Sequence, residues 1–328
     1  MILAGDIGGT KTFLCLFEEV SSRKIFKEER FVSSEHASLE EIVQKFLSSV
    51  SVPISHACFG IAGPIQNNKC YATNLPWVVE GEKLKVLIKT PHVFLINDLE
   101  ANAWGISCLN KEEFFVLSEG DGDKIGNRAL ISAGTGLGEA GLYFTGKEHL
   151  PFASEGGHCN FAPNNEEEVE IWRYIQKKFG HASYERVLSG QGIENIYSFW
   201  IEEKKEKEQE EVKKRRLEED PAKVIHEYAL NGKCPICKKT MEQFVSIYGS
   251  ESGNLALKFL AVGGLYIGGG IAPKILDLLK EGSFLESFRK KGRFEKLLSA
   301  IPIQVILNYK AAILGAGRYA EHKKQTSL

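Results

Sequence analysis

The stretch Gly5-Asp6-Ile7-Gly8-Gly9-Thr10-Lys11-Thr12 lies between two apolar runs, Ile2-Leu3-Ala4 and Phe13-Leu14-Cys15-Leu16-Phe17. It imitates a Walker loop, but Gly-x-x-x-x-Gly-Lys-Thr needs glycine where Thr10 stands, and a helix directly after it. The run Phe13–Phe17 reads instead as a strand. Gly8 and Gly9 are therefore the expected tip of a hairpin, whose N–H groups can form a nest for phosphate oxygens. Gly5, Asp6, Ile7, Gly8, Gly9 and Thr10 are the expected nucleotide contacts, and an acid at Asp6 could hold Mg²⁺ through water. A plain Gly-Gly hairpin would need neither Asp6 nor Thr10.

The device recurs at Ser132-Ala133-Gly134-Thr135-Gly136-Leu137-Gly138-Glu139-Ala140-Gly141. Gly136, Gly138 and Gly141 match a dinucleotide fingerprint literally, but that fingerprint requires a helix next. Leu142-Tyr143-Phe144 is a strand instead, so a second phosphate hairpin is expected, with contacts at Gly134, Thr135 and Gly136. A third cluster, Val262-Gly263-Gly264-Leu265-Tyr266-Ile267-Gly268-Gly269-Gly270, is a strand entering a glycine turn before Ile271-Ala272-Pro273 and a helix. Such a turn can admit a ring or ribose at Gly268, Gly269 and Gly270, and tight helix–sheet packing explains it equally well. A fourth glycine group, Gly315 and Gly317, comes after Ala312-Ile313-Leu314. Four glycine sites beside apolar runs suggest one ligand held by several loops.

The 328 residues are 43% hydrophobic and 26% charged, the balance of an ordinary globular protein, and are enough for two domains. A net charge of -2 creates no field favouring nucleic acid or an anionic membrane, so neither is an expected partner. Seven scattered cysteines are no disulfide framework, and a cytoplasmic location is expected. The first residues lack the features of a signal peptide. Strands read at 2–7, 12–18, 56–62, 93–97, 113–117, 128–133, 139–145 and 303–307. Helices read at about 39–50, 98–107, 165–179, 184–199, 239–260, 274–281, 284–290 and 310–325. Hairpins joined to crossover helices imply an α/β protein. The hairpin opening appears twice, so two related halves are expected, 1–110 completed by 308–328, and 111–307. The Glu- and Lys-rich segment 202–220 reads as a solvated helix extension laced with salt bridges.

Taken in order, Asp6-Ile7-Gly8-Gly9-Thr10, the Gly134-Thr135-Gly136 hairpin and the Gly268-Gly269-Gly270 turn resemble the phosphate and adenosine loops of the actin-like ATPase superfamily. Phe59-Gly60-Ile61-Ala62-Gly63-Pro64 and Ala312-Ile313-Leu314-Gly315-Ala316-Gly317 look like its two connecting segments at the hinge. The resemblance spans nearly the whole chain. It implies a two-domain, ribonuclease H-like α/β fold with mixed sheets and ATP in a cleft between the domains.

That superfamily includes ATPases with no second substrate, so the acceptor is a separate question. Ile96-Asn97-Asp98 ends an apolar strand and opens a helix. An Asp there can take the proton of an attacking hydroxyl, and it also suits an N-cap for a helix starting at Leu99. Glu155-Gly156-Gly157-His158 sets a carboxylate and an imidazole on a tight turn, a pairing suited to the vicinal hydroxyls of a sugar. A metal site at Glu155, His158 and Cys159 lacks a fourth ligand at a familiar spacing. Glu155-Gly156-Gly157-His158-Cys159-Asn160-Phe161-Ala162-Pro163, Glu185-Arg186-Val187-Leu188-Ser189-Gly190 and Thr73-Asn74-Leu75-Pro76-Trp77 are similar to the bacterial glucokinase family. The resemblance implies transfer of the γ-phosphoryl of ATP to the 6-hydroxyl of glucose, with Mg²⁺. Asp98 would be the base, and Asn74, Asn97, Asp98, Glu155, His158 and Glu185 would bind glucose. A homodimer is compatible with this assignment. Cys234-Pro235-Ile236-Cys237, with no second pair, is half a zinc site and reads as structural.

Overall fold

A computed structural model describes residues 1–122 and 124–326; the last two residues of the segment 308–328 lie outside the described residues. The chain forms two compact units, residues 1–113, 150–153 and 308–328 in one, and 114–149 and 154–307 in the other.

The first unit opens with β1 (Ile2–Ile7), β2 (Lys11–Glu19), β3 (Lys24–Val32), α1 (Leu39–Leu47) and β4 (His56–Ile61). A three-stranded meander comes next, β5 (Ile65–Gln66), β6 (Lys69–Tyr71) and β7 (Val78–Glu80), then α2 (Gly81–Ile88), β8 (Val93–Asn97) and α3 (Asp98–Gly105). The main sheet has the order β3-β2-β1-β4-β8, with β1 antiparallel to β2 and parallel to β4. Every residue of β4 is buried, as expected of a central strand covered on both faces. The alternation along β1 divides the core. Leu3 and Ile7 pack with α1 through Leu39, Ile42, Val43 and Phe46. Ile2 and Ala4 face the other way, onto α3 and the last helix of the chain.

The second unit contains β9 (Phe114–Ser118), β10 (Arg128–Ala133), β11 (Leu137–Phe144), the two end residues of β12 (His149–Ser154), α4 (Glu166–Phe179), α5 (Gly190–Glu202), α6 (Glu210–Glu218) and α7 (Pro221–Leu230). Beyond these lie α8 (Pro235–Phe259), β13 (Leu265–Gly268), α9 (Leu276–Lys280), α10 (Ser283–Arg289), α11 (Glu295–Ser299) and β14 (Ile303–Ile306), and α12 (Ala311–Thr326) then returns to the first unit. The sheet order is β12-β11-β10-β13-β14-β9. Here β10 is antiparallel to β11 and parallel to β13, and β13 is parallel to β14. The run β2-β1-β4-β8 is thus repeated as β11-β10-β13-β14, so the two halves share one sheet design. The 25-residue α8 is buried over most of its surface, which explains why its sequence lacks a polar stripe.

Several expectations change. The unexpected β3, Lys-Ile-Phe-Lys-Glu-Glu-Arg-Phe-Val, is a polar edge strand, exposed at most positions. The helix expected at 184–199 is a 3₁₀ turn, Tyr184–Arg186, leading into α5, which Ser189 caps by accepting from the Gly192 N–H at 2.9 Å. The long helix starts at Pro235 rather than 239, and the Sγ of Cys234 accepts from the Cys237 N–H at 3.4 Å. That pair is therefore a cap and a core residue. Gly315 and Gly317 are no ligand loop, since they lie inside α12. A Cβ on Gly315 would overlap the Ala101 carbonyl, so the glycine serves a close crossing of α12 over α3. The segment 202–220 is not a continuation of α5. Its Val212 is buried, and Arg216 packs over Tyr197 between Glu194 (3.2 Å) and Glu208 (2.9 Å). No helix among the described residues is long and apolar enough to cross a membrane.

Candidate functional site

In the first unit, β1 and β2 pair up to Ile7 and Thr12, leaving Gly8, Gly9 and Thr10 as the hairpin tip. The Gly8 N–H donates to the Lys11 carbonyl at 3.0 Å. Ser33, just after β3, anchors the tip from outside. Its Oγ donates to the Gly8 carbonyl at 2.8 Å and lies 3.0 Å from the Thr12 Oγ1, while its N–H donates to the Thr10 carbonyl at 3.1 Å. Asn74 packs on the tip, because a Cβ on Gly9 would stand 2.7 Å from that of Asn74. Gly5 and Ile7 are inside β1 and buried, Gly5 against Phe59 and Leu14, so they can offer only backbone atoms.

Asp6 and Asp98 come from the ends of β1 and β8, the carboxyl edge where α/β sheets present their ligand sites. Burial, and then the charge of Asp98, push the Asp6 carboxyl up to about 6, with Arg30 opposing. The two acids therefore sense each other. Asn97, not Asp98, is the main cap of α3, its Oδ1 accepting from the N–H groups of Leu99 (2.9 Å) and Glu100 (3.3 Å). Asp98 is the first helical residue, with Oδ1 accepting from the Leu99 N–H at 2.9 Å.

The second unit brings Glu155, His158 and Glu185 together. His158 Nε2 is 3.9 Å from Glu155 Oε2, and Nδ1 is 4.0 Å from Glu185 Oε1. These separations are too long for hydrogen bonds and leave polar atoms for a ligand's hydroxyls. The other oxygen of Glu185 accepts from the Leu137 N–H at 3.0 Å, immediately after Gly136. One carboxylate thus joins the acid–imidazole cluster to the Gly134–Gly136 hairpin.

Around that hairpin the glycine loops converge. The Gly190 N–H, at the start of α5, donates to the Gly134 carbonyl at 2.9 Å, placing the partially positive end of a 13-residue helix beside the hairpin. Gly269 has φ +82°, where a side chain would also strike the Ala133 carbonyl, and the Ile271 N–H donates to that carbonyl at 3.3 Å. The third glycine turn therefore wraps the end of β10. Together they border a cavity of about 510 Å³ lined by Gly134, Thr135, Gly190, Gln191, Glu194, Gly270, Ile271 and Lys274.

The start of α7, with Asp220, Pro221, Ala222, Lys223 and His226, completes that wall and was not expected from the sequence. Its signal was present, because Asp220-Pro221 is a cap with proline at the first helical position. The end of the charged segment therefore reaches the cavity. Burial lowers the affinity of His226 for a proton, and its Nε2 has no partner among the described residues, an orphaned atom at a cavity wall. Among the described residues no cluster of three or more His, Cys, Asp or Glu could hold a metal by itself.

The glucokinase family model matches residues 3–323. A glucokinase of Nostoc sp. (strain PCC 7120) is 42% identical over 334 residues, covering 96% of this chain and 97% of the relative. The crystal structure of a glucokinase from an Antarctic psychrotroph superposes with a TM-score of 0.84 at 30% identity, covering 98% of each chain. A ROK family glucokinase from Streptomyces griseus, solved with glucose and AMPPNP, shares the fold at a TM-score of 0.64 and 19% identity, covering 98% of this chain and 99% of that one. The fold is the two-domain, actin-like ATPase fold of these sugar kinases. With a family model spanning it from residue 3 to 323 and a relative at 42% identity over almost its whole length, the chain belongs to the glucokinase family.

Proposed function

We propose that the chain transfers the γ-phosphoryl of ATP to the 6-hydroxyl of glucose, releasing glucose 6-phosphate and ADP. The observation that carries this is Glu185, one oxygen on the Leu137 N–H at the hairpin and the other facing His158. A sugar-reading cluster is thereby continuous with a phosphate-type loop. Glu155, His158 and Glu185 hold the sugar hydroxyls, with Asn97 and Asn74 contributed by the first unit. Asp98 takes the proton of the attacking 6-hydroxyl. The tips at Gly8–Thr10 and Gly134–Gly136 direct N–H groups at phosphoryl oxygens, where charge builds in the transition state. The cavity under Gly268–Gly270 takes the adenosine, and its unpaired His226 Nε2 is suited to a base or ribose donor.

Mg²⁺ fits Asp6. Burial, and then repulsion from Asp98, lift the Asp6 carboxyl, and a nearby divalent cation would offset both. A single carboxylate is enough for an ion that keeps its waters and otherwise binds phosphates. When bound, it would neutralise charge on the phosphate oxygens. Action on cytoplasmic glucose, at the entry of glycolysis, is in keeping with seven unpaired cysteines.

The test is ADP release over a panel of hexoses and amino sugars, with ATP, ADP and polyphosphate as donors. Glucose with ATP should give the highest kcat/KM, and His158→Ala should raise the KM for glucose at least tenfold. Faster turnover of another sugar, or a glucose KM unmoved by that substitution, would overturn the assignment.

A further inference from the structure

Beneath the Gly156–His158 turn lies a pair of acids that the reaction does not use. Glu139 on β11 and Glu251 on α8 are 1% and 0% exposed. In that closed space the charge of Glu251 bears on Glu139, so the pair is held most easily with one proton between the two carboxyls. Glu251 is the partner with a cation beside it. Its Oε1 accepts from Lys258 Nζ at 2.9 Å and its Oε2 from Asn254 Nδ2 at 2.8 Å. Glu139 has no such cation, and its Oε1 has no partner among the described residues.

The pair touches the sugar cluster on two sides. A Cβ on Gly156 would overlap Glu139 Oε2, so the turn carrying Glu155 and His158 rests directly on that carboxyl. On the other side, Asn254 Nδ2 also donates to the Tyr184 hydroxyl at 3.0 Å, and Tyr184 immediately precedes Glu185. We infer that Glu139, protonated and hydrogen-bonded to Glu251, is a positioning residue that seats the Glu155–His158 turn and the Tyr184–Glu185 turn in register for the sugar.

Burial and the charge of Glu251 push the Glu139 carboxyl well above the usual carboxylate range, and Lys258 opposes them. The other groups facing the pair are the Tyr184 and Tyr248 hydroxyls, both driven upward by burial, and Lys291, whose Nζ donates to Ser250 Oγ at 3.0 Å. When the proton leaves Glu139 for solvent, two like charges face each other in a closed space under a glycine turn. The turn then shifts, and glucose binding weakens while the transfer step is left intact.

This inference rests on the sugar-site assignment, and the experiment separates the two. The KM for glucose and kcat are measured from pH 6 to 9.5 on wild type, Glu139→Gln, Glu139→Ala, Lys258→Met and His158→Ala, with melting temperatures alongside. Wild-type KM should rise five- to tenfold across that range as pH increases, with kcat within twofold. Glu139→Ala should raise KM at every pH. Glu139→Gln, whose amide still donates to Glu251, should rescue that loss and give a KM independent of pH. Lys258→Met, assayed below its own melting temperature because it strips the cation from buried Glu251, should move the rise to higher pH, since that cation favours the charged pair. A wild-type KM flat with pH, a rise that persists in Glu139→Gln, or an unmoved midpoint in Lys258→Met overturns the inference. If His158→Ala leaves KM unchanged at pH 7, the sugar-site assignment itself has failed.

Discussion

Asp98→Asn divides the chemistry of the proposed base from its place in the helix. The cap survives, because Asn97 supplies the acceptor for both the Leu99 and Glu100 N–H groups. An asparagine Oδ1 can also keep the 2.9 Å bond that Asp98 accepts from Leu99. What the fold loses is the attraction of a carboxylate to a helix N-terminus, about 0.3–1 kcal/mol. Relief of the charge pressing on Asp6 offsets part of that. At roughly 2–4 °C per kcal/mol for a domain of this size, Tm should fall by no more than about 4 °C. Chemistry loses far more, since an amide accepts no proton and general-base catalysis is worth roughly 10²–10⁴ in rate. That is about 2.7–5.4 kcal/mol of transition-state stabilisation at 1.36 kcal/mol per tenfold. Glucose affinity should move much less than kcat, because both side chains hydrogen-bond a hydroxyl. A coupled ADP-release assay, direct glucose binding and thermal melting on one preparation decide the matter. Turnover within a few fold of wild type would refute Asp98 as the base.

The pH dependence on the nucleotide side originates at Asp6. As pH falls through about 6 its carboxyl takes a proton and can no longer hold a hydrated cation, so the KM for MgATP should rise several fold between pH 7 and 5. On stability the sign is opposite: a folded pKa above the ordinary value contributes most below that value and is lost as pH rises through about 6, a slope that Asp6→Asn should remove in pH-resolved melts. Ser33→Ala takes the donor from the half-buried Gly8 carbonyl and should cost about 0.5–1.5 kcal/mol by denaturant titration, with KM for ATP raised more than kcat is lowered. Cys234→Ser should be nearly neutral, since serine is a favoured cap, whereas Cys237→Ser puts a hydroxyl into closed core and should cost about 1–3 kcal/mol, with activity per folded molecule unchanged in both.

The hairpin tips at Gly8-Gly9 and Gly134-Thr135-Gly136 were legible because the strand after each glycine run excluded the helix that both better-known phosphate motifs require. Asn97-Asp98 was legible as a strand end meeting a helix start, though not which of the two would cap. Ser33 was not legible, since its partner Gly8 is 25 residues away and only the β2–β3 pairing brings them together. Nor was the α7 wall of the cavity, because the cap signal of Asp220-Pro221 stands at the end of a charged run whose composition argues for solvent. Gly315 misled for a related reason. A glycine required by another helix's backbone looks, in sequence, the same as one required by a ligand.

The return of α12 to the first unit has a consequence for how the chain matures. One of that unit's two cores joins Ile2, Ala4, Phe13 and Phe17 from the beginning of the chain to Ile313, Leu314, Ala316 and Ala320 near its end. A ribosome making roughly 5–20 residues per second needs about 10–40 s to travel from the end of α3 to α12. Through that interval the first unit has its sheet and α3 but lacks the helix that completes the cover of one face, and by its end most of the second unit has been made as one contiguous stretch. Vectorial synthesis therefore favours the second unit folding first. It also leaves the nascent N-terminal sheet with an open apolar face, a surface that holdase chaperones recognise.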